Sequence, residues 1–414
     1  MSMRNRVVIT GLGVFAPNGI GKDAFWKTLI EGKTGIGPIT LFDASAHPSR
    51  IAGEVKGFDP KIHIGPDVNV KRLARQTQLA LAATRQALSD ASLEEADLAA
   101  ENSVPLVLGV GCAAMDIIED GMTRFLDKGP NRVQTHIVHG GQPHHAASVV
   151  AQHIPLITRS TTISSACAAG LDAIGLAFDL VRKGKADVAL CGGTDAPINP
   201  MTFACLAKTG LLSLRNEAPE KASRPFDRDR DSGVISEGAG MVVIENLAHA
   251  RARGAIPYLE ITGYATRTDT DLEQAGSGFD VTMLEALANA GKRPGHVEYI
   301  SAHGPGHPVV DRIETAMIKR AFGSHAYSIP ASSIKGVMGN PLSAAGVFQL
   351  IACALMMRDN LVPPTANLEN PDPECDLDYV PMKARMMRVS CALINAHGLG
   401  GGNSSLVVER VPAK

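Results

Sequence analysis

Aromatic side chains are scarce: Phe, Trp and Tyr make up 4% of the 414 residues, with one Trp. That leaves little surface on which successive bases could stack. Charge of one sign is also lacking. Forty Lys+Arg stand against 42 Asp+Glu, a net charge of −2, so nothing draws the chain to polyanions in general and nucleic acid is excluded as the expected partner. The seven cysteines (112, 167, 191, 205, 353, 375, 391) are odd in number and include no C-x-x-C pair, which fits a reducing cytosol better than a disulfide framework. No apolar run reaches the roughly 20 residues that a membrane-spanning helix needs, and the three-residue run near the N-terminus is too short for a signal peptide. What remains, 45% hydrophobic and 20% charged residues, predicts a cytoplasmic globular protein with ample chain for a large core and two or three domains.

Along the chain, strand-like runs alternate with helix-like ones, which predicts an α/β fold with mainly parallel or mixed sheets. Strands are expected at Arg6–Thr10, Pro105–Val110, Asp187–Cys191, Met241–Glu245, Val297–Ser301, Ser328–Ser332, Val389–Ile394 and Leu406–Glu409. Gly11-Leu12-Gly13-Val14-Phe15-Ala16 imitates a dinucleotide fingerprint, but the residues after it read as a loop rather than a helix start, so the phosphates would lack their helix N-terminus. It is read as a turn, as is Gly32-Lys33-Thr34. Residues 68–90 read as a helix carrying Lys71, Arg72 and Arg75. Residues 213–237, dense in charge around Arg224–Asp231, read as a loop. Four histidines (136, 139, 144, 145) sit close together, but Gly-Gly and Pro break their spacing and no carboxylate or thiol lies among them, so no metal site is expected. Two long apolar helices open alike, at Cys167-Ala168-Ala169-Gly170 and Ser343-Ala344-Ala345-Gly346, which suggests a duplicated core around two closely packed helices.

The chemistry gathers where strands end. Thr161-Thr162-Ile163-Ser164-Ser165-Ala166-Cys167 runs from a strand into a helix start, where a thiol is expected to ionise more readily than a free one. Most cysteines are merely small buried hydrophobes. This one is set apart by His303 and Lys335 at later strand ends, with Asn340 and the glycine-rich loop around Leu399, because sites of α/β folds collect at the carboxyl ends of strands. A thiol nucleophile, an imidazole, an ammonium group and a loop of free N–H groups suit acyl transfer through a thioester.

On these residues the chain resembles the β-ketoacyl-(acyl-carrier-protein) synthases, the type II condensing enzymes. The likeness extends from Val7-Val8-Ile9-Thr10-Gly11-Leu12-Gly13 through Ser165-Ala166-Cys167-Ala168, Ser223-Arg224-Pro225-Phe226-Asp227 and Glu237-Gly238-Ala239-Gly240. It continues in Ala302-His303-Gly304, Asp311 with Glu314, Ser333-Ile334-Lys335-Gly336, Ala344-Ala345-Gly346 and Gly398-Leu399-Gly400-Gly401-Gly402-Asn403. The resemblance implies a thiolase-like fold of two similar halves in a five-layer αβαβα sandwich, with the halves expected at 1–252 and 253–414. It implies a homodimer, or a heterodimer with a related subunit, and no metal or cofactor of its own. Substrates would arrive on the phosphopantetheine of an acyl carrier protein. The implied roles are Cys167 as acyl acceptor, His303 for decarboxylation of a malonyl thioester, Lys335 charging the site with Glu314 behind it and Asp311 nearby, and the N–H groups of Cys167 and Leu399 as oxyanion hole. Lys71, Arg72 and Arg75 would meet the acidic carrier.

Four departures surround that pocket. The family's second histidine falls on Asn340, which can donate a hydrogen bond but cannot become cationic. Gly304-Pro305-Gly306-His307 lacks two hydroxyls of the family's G-T-x-T. His397-Gly398-Leu399-Gly400-Gly401-Gly402 stands for F-G-F-G-G-T, and residues 266–279 are about two residues short. The expected activity is decarboxylative condensation in a specialised fatty acid or polyketide pathway. Acyl transfer or malonyl decarboxylation without elongation is the alternative, followed by a non-catalytic subunit of the chain-length-factor type.

Overall fold

The computed structural model describes residues 5–93, 104–269 and 276–412. Two similar sets of strands build it. In the first, β1 (Val7–Ala16), β2 (Pro105–Gly109), β3 (Arg159–Ile163), β4 (Val188–Asp195) and β5 (Gly238–Asn246) pair in the order β3-β2-β4-β5-β1. In the second, β6 (Leu259–Thr268), β7 (Tyr299–Ser301), β8 (Ala331–Ser332), β9 (Cys391–Gly398) and β10 (Gly402–Glu409) pair in the order β8-β7-β9-β10-β6. Directions match as well. Each set has two parallel pairings followed by two antiparallel ones. The sets meet where β1 and β6 pair antiparallel over Val7–Ile9 and Leu259–Ile261, so these ten strands belong to one sheet of eleven, completed by the two-residue strand Gly19–Ile20 beside β1.

Helices fill both faces. On the outer side of the first set lie α1 (Arg75–Asp90) and α2 (His144–His153), and between the sets run α3 (Ala169–Arg182) and α6 (Ala344–Asp359). The outer side of the second set carries α4 (Phe279–Asn289), with α5 (Pro308–Phe322) packed on it. Three large apolar clusters occupy the spaces between these layers, one central and one on each outer side. Helix α6 explains the central one. Every residue from Ala344 to Met357 is buried, as expected of a helix that is apolar all round. The two central helices touch because Gly170 opens α3: a Cβ there would lie 2.1 Å from the Ser343 carbonyl oxygen.

Two sequence expectations give way here, and a third gains a detail. The Gly-x-Gly pair is no turn. Gly11 and Gly13 lie inside β1, and Cβ atoms on them would fall 2.2 and 1.9 Å from the carbonyl oxygens of Ala87 and Ala83. Their smallness admits α1 against the strand. The helix expected over 68–90 begins only at Arg75, after a single 3₁₀ turn at Val70–Arg72. The charged tract is irregular, as expected, and Arg228, Asp229 and Asp231 are exposed, but Arg224, Asp227 and Arg230 are buried: Arg224 pairs with Asp227 at 3.0 Å while Arg230 pairs with Asp372 at 2.8 Å and Asp311 at 3.4 Å. Buried charges persist when paired in this way.

Candidate active site

Cys167 follows β3 through a tight turn. Ala166 carries φ of +51°, a left-handed conformation that costs a non-glycine residue roughly 1–3 kcal/mol, and α3 starts two residues after the cysteine. The turn is anchored from the opposite half. Asp172, one turn into α3, accepts from Ser165 Oγ in the turn, from Tyr264 Oη on β6 at 2.7 Å and from Ser404 Oγ on β10. Gly398 lies across the turn, where a Cβ would come 2.5 Å from the Ser165 carbonyl oxygen.

The thiol is partly exposed, and around it the structure gathers groups from both halves. Asn340 Nδ2 lies 4.0 Å from Cys167 Sγ, and the Leu399 backbone N–H is directed at the sulfur. Asn340 is fixed by its backbone, with its N–H donating to Val234 O at 2.7 Å and its carbonyl accepting from Ser236 N–H at 3.0 Å. Burial pushes the Cys167 thiol up from its ordinary pKa, against the Lys335 charge, the Asn340 amide and the Leu399 N–H, which favour the thiolate. Desolvation thus works against the ionisation expected from the helix start, and the local donors work for it.

His303 follows β7 and is 3% exposed. Its Nδ1 accepts the His397 backbone N–H at 3.2 Å and faces Lys335 Nζ at 3.5 Å. Both neighbours are donors, so Nδ1 is the lone-pair nitrogen and the neutral ring carries its proton on Nε2. Burial, then the Lys335 charge and His397, hold His303 well below the usual imidazole range. Lys335 also donates to the His303 carbonyl oxygen. Its own pKa is brought down to about 8 by burial, with Glu314 as the first charge opposing that fall. Glu314 is wholly buried beneath this pair, accepting from the N–H groups of His303 and Gly304, both at 2.8 Å, and from Asn395 Nδ2 at 3.3 Å. Asp311 is buried nearby, accepting from the N–H groups of Phe226 and Gly306 and facing Arg230. It clamps the charged tract to the turn after His303.

The three basic residues expected to meet a carrier divide. Lys71 and Arg72 are exposed. Arg75 is not free. Its guanidinium holds both carboxylate oxygens of the buried Glu237, each at 2.6 Å, and the Val55 carbonyl at 3.2 Å. Of the departures, His307 is the N-cap of α5, its Nδ1 accepting from Val309 N–H at 3.2 Å, and residues 270–275 lie outside the described residues. Among the described residues no three metal-ligating side chains gather. His139 and His145 pack edge to face, 5.1 Å between ring centres. A cavity of about 920 Å³ beside Lys22, Tyr258 and Arg410 contains none of the site residues.

One site residue escaped the sequence reading as an individual. His397, treated only as part of the loop motif, is buried and stands edge to face on His303, 5.9 Å between ring centres. The available signal was the polar pair Asn395 and His397 at alternate positions of an apolar strand, which puts both on one face of β9.

Duplicated half-sheets around a buried helix pair, with a thiol at the start of one helix and an imidazole and an ammonium group from the other half, define a thiolase-like ketosynthase fold. The chain matches the β-ketoacyl synthase N-terminal domain over residues 4–250 and the C-terminal domain over residues 254–369. It belongs to the β-ketoacyl synthase family. A 3-oxoacyl-[acyl-carrier-protein] synthase 2 of Synechocystis is 41% identical over 98% of both chains. The ketoacyl synthase alpha subunit of the tetracenomycin polyketide synthase of Streptomyces glaucescens is 42% identical over 98% of this chain and 97% of its own. Among solved structures, a type II polyketide-synthase carrier protein in complex with its ketosynthase bound to the hexaketide superposes with a TM-score of 0.90, covering 99% of this chain and all of that one at 32% identity. The ishigamide ketosynthase/chain length factor does so with a TM-score of 0.91, the same identity and the same coverage.

Proposed function

We propose that the protein is an acyltransferase of the condensing type, joining an acyl group held on Cys167 to a malonyl unit with loss of CO₂. The observation that carries this reading is the Cys167 sulfur with Asn340 Nδ2 4.0 Å away, the Leu399 N–H directed at it and the Lys335 charge acting on it, Lys335 itself facing His303 Nδ1 at 3.5 Å. In the first step Cys167 attacks the thioester of the incoming carrier-bound acyl group. Its proton passes to the departing pantetheine thiol, and the N–H groups of Cys167 and Leu399 stabilise the oxyanion. Losing one such donor typically costs about 10²–10³ in rate. In the second step the malonyl thioester oxygen receives hydrogen bonds from His303 and Asn340, CO₂ leaves, and the carbanion attacks the acyl-Cys167 thioester. That releases the sulfur as a thiolate stabilised by the Lys335 charge. An amide can serve in this place because the step asks for a hydrogen-bond donor, not for a cation.

An acyl carrier protein is the implied partner, supported by the exposed Lys71 and Arg72, and a cytosolic location is supported by seven free cysteines. No metal or cofactor enters the steps. A dimer, of identical or related chains, is supported by the edge strand β3, whose residues Arg159–Thr161 are exposed. Asn340 and Pro305 favour one second reading, transfer or decarboxylation without elongation.

Mass spectrometry after mixing the protein with acyl-carrier and malonyl-carrier separates the two. Condensation gives an acylated Cys167 and then a carrier-bound β-ketoacyl product two carbons longer. Acylation or CO₂ release with no longer product establishes the second reading. His303→Ala is expected to keep acylation and suppress decarboxylation, and loss of acylation in a folded variant would refute the roles given.

A further inference from the structure

His397 forms the end of a polar chain. Its Nδ1 lies 3.0 Å from Asn403 Oδ1, and Asn403 Nδ2 donates to Asp269 Oδ1 at 2.6 Å. Asp269 is fixed in turn by the N–H groups of Gly276 and Gly278, at 2.6 and 2.7 Å. Because the Asn403 amide nitrogen is committed to the carboxylate, its oxygen faces the imidazole, and His397 must present Nδ1–H to it. The proton of neutral His397 is therefore on Nδ1, and its lone pair is on Nε2. His303 has the opposite tautomer, since its Nδ1 accepts the His397 backbone N–H. The two rings stand edge to face, and Phe279 packs on both, at 5.7 Å from His397 and 6.4 Å from His303.

Resting on the condensing reading above, we propose that His397 is a positioning residue for decarboxylation. Its backbone N–H fixes His303 as an Nε2–H donor, while its neutral ring, backed by Asn403 and Asp269, keeps a second positive charge away from the imidazole. The charges around this ring among the described residues are few. Asp269 lies behind it, Lys335 stands beyond His303 and Glu314 beneath, and α4 contributes the uncharged Phe279. Lys335 is already within 3.5 Å of His303 Nδ1. A protonated His397 would add a like charge on the adjoining side. It would also hold a malonyl carboxylate in its charged ground state, against the loss of charge that release of CO₂ requires. The direction of His397's own titration agrees: burial lowers its pKa from the usual value, against the opposing pull of Asn403 and Asp269. The ring therefore remains neutral at neutral pH and titrates on the acid side.

The test is the pH dependence of CO₂ release from malonyl-carrier, read together with ¹⁵N resonances of labelled histidine in the full chain. Wild-type release is expected to fall, by up to about tenfold per pH unit, below the pH at which His397 protonates. His397→Phe keeps an aromatic ring between Phe279 and His303 and is expected to abolish that acid limb. Asp269→Asn removes the negative charge that favours the imidazolium, so the limb is expected at lower pH. The resonances should give an Nδ1–H tautomer for His397 and Nε2–H for His303. Superimposable pH profiles for wild type and His397→Phe overturn the proposal, as does an Nε2–H tautomer at His397. Should His397→Phe fail to fold, an unmoved limb in Asp269→Asn overturns it equally. Wild-type protein that releases no CO₂ at any pH refutes the condensing reading instead, and the tautomer measurement still stands.

Discussion

Replacing Glu314 by Gln tests how the site holds its imidazole and its ammonium group. The substitution keeps volume and one acceptor oxygen but removes a charge. In the wild type one carboxylate oxygen serves the His303 N–H and Asn395 Nδ2, and the other serves the Gly304 N–H. Glutamine can satisfy the first group and then turns an NH₂ toward the Gly304 N–H. One buried backbone donor is left unpaired, at a cost of about 1–3 kcal/mol, with no escape to solvent because the residue is wholly buried. The second effect is electrostatic. Lys335 sits at about 8 with Glu314 as the first charge raising it, so at pH 7.5 about three-quarters of the molecules carry the ammonium charge. If the variant lowers that pKa by one unit, worth about 1.4 kcal/mol, the charged share falls to roughly a quarter. Denaturant unfolding should show the stability loss. Alkylation of Cys167 should slow at pH 7.5, because the Lys335 charge favours the thiolate. A Glu314→Gln protein with wild-type unfolding free energy and an unmoved alkylation profile would refute this account.

Other outcomes follow from the same geometry. Arg75→Gln strands the buried Glu237 carboxylate and should cost about 3–5 kcal/mol in unfolding experiments, whereas Arg72→Glu should leave stability unchanged and raise KM for carrier-bound substrate alone; equal stability of the two would contradict the division drawn between them. Gly170→Ala puts a methyl group against the Ser343 carbonyl and should destabilise by about 1–3 kcal/mol or more, measured as a lower denaturation midpoint. A wild-type midpoint would mean the central helices can separate freely.

Much of the site was legible because its parts lie at strand ends, where residue type and position coincide in the sequence. Cys167, His303 and Lys335 stand out in this way, and the repeated small-residue helix starts foretold the touching pair α3 and α6. What stayed hidden depends on partners distant in the chain. Arg75 reads as one of three surface cations until Glu237, 162 residues away, takes both of its donors. The tract from Arg224 to Asp231 has the composition of a solvated loop, and the burial of Arg230 within it rests on Asp311 and Asp372, far along the chain. Gly11 and Gly13 punctuate a sequence as a turn would, yet the constraint they meet is the passage of another helix. The state of Cys167 is only half visible for a related reason: a helix start can be read from the residues, but the desolvation that opposes it belongs to the assembled pocket.

The antiparallel seam between β1 and β6 spans only three residue pairs, so little backbone hydrogen bonding ties the two halves together there. Across the middle they are joined by one apolar cluster drawn from both halves and by Asp172, which collects hydroxyls from the turn before Cys167, from β6 and from β10. Labour is thus divided unequally between the repeats. The first carries Cys167, and the second carries His303, Lys335 and Asn340, so the candidate site is complete only where the two meet. A break in the chain near residue 253 would therefore separate Cys167 from its neighbours in the candidate site and uncover the apolar helix α6, which lies buried between the two sets.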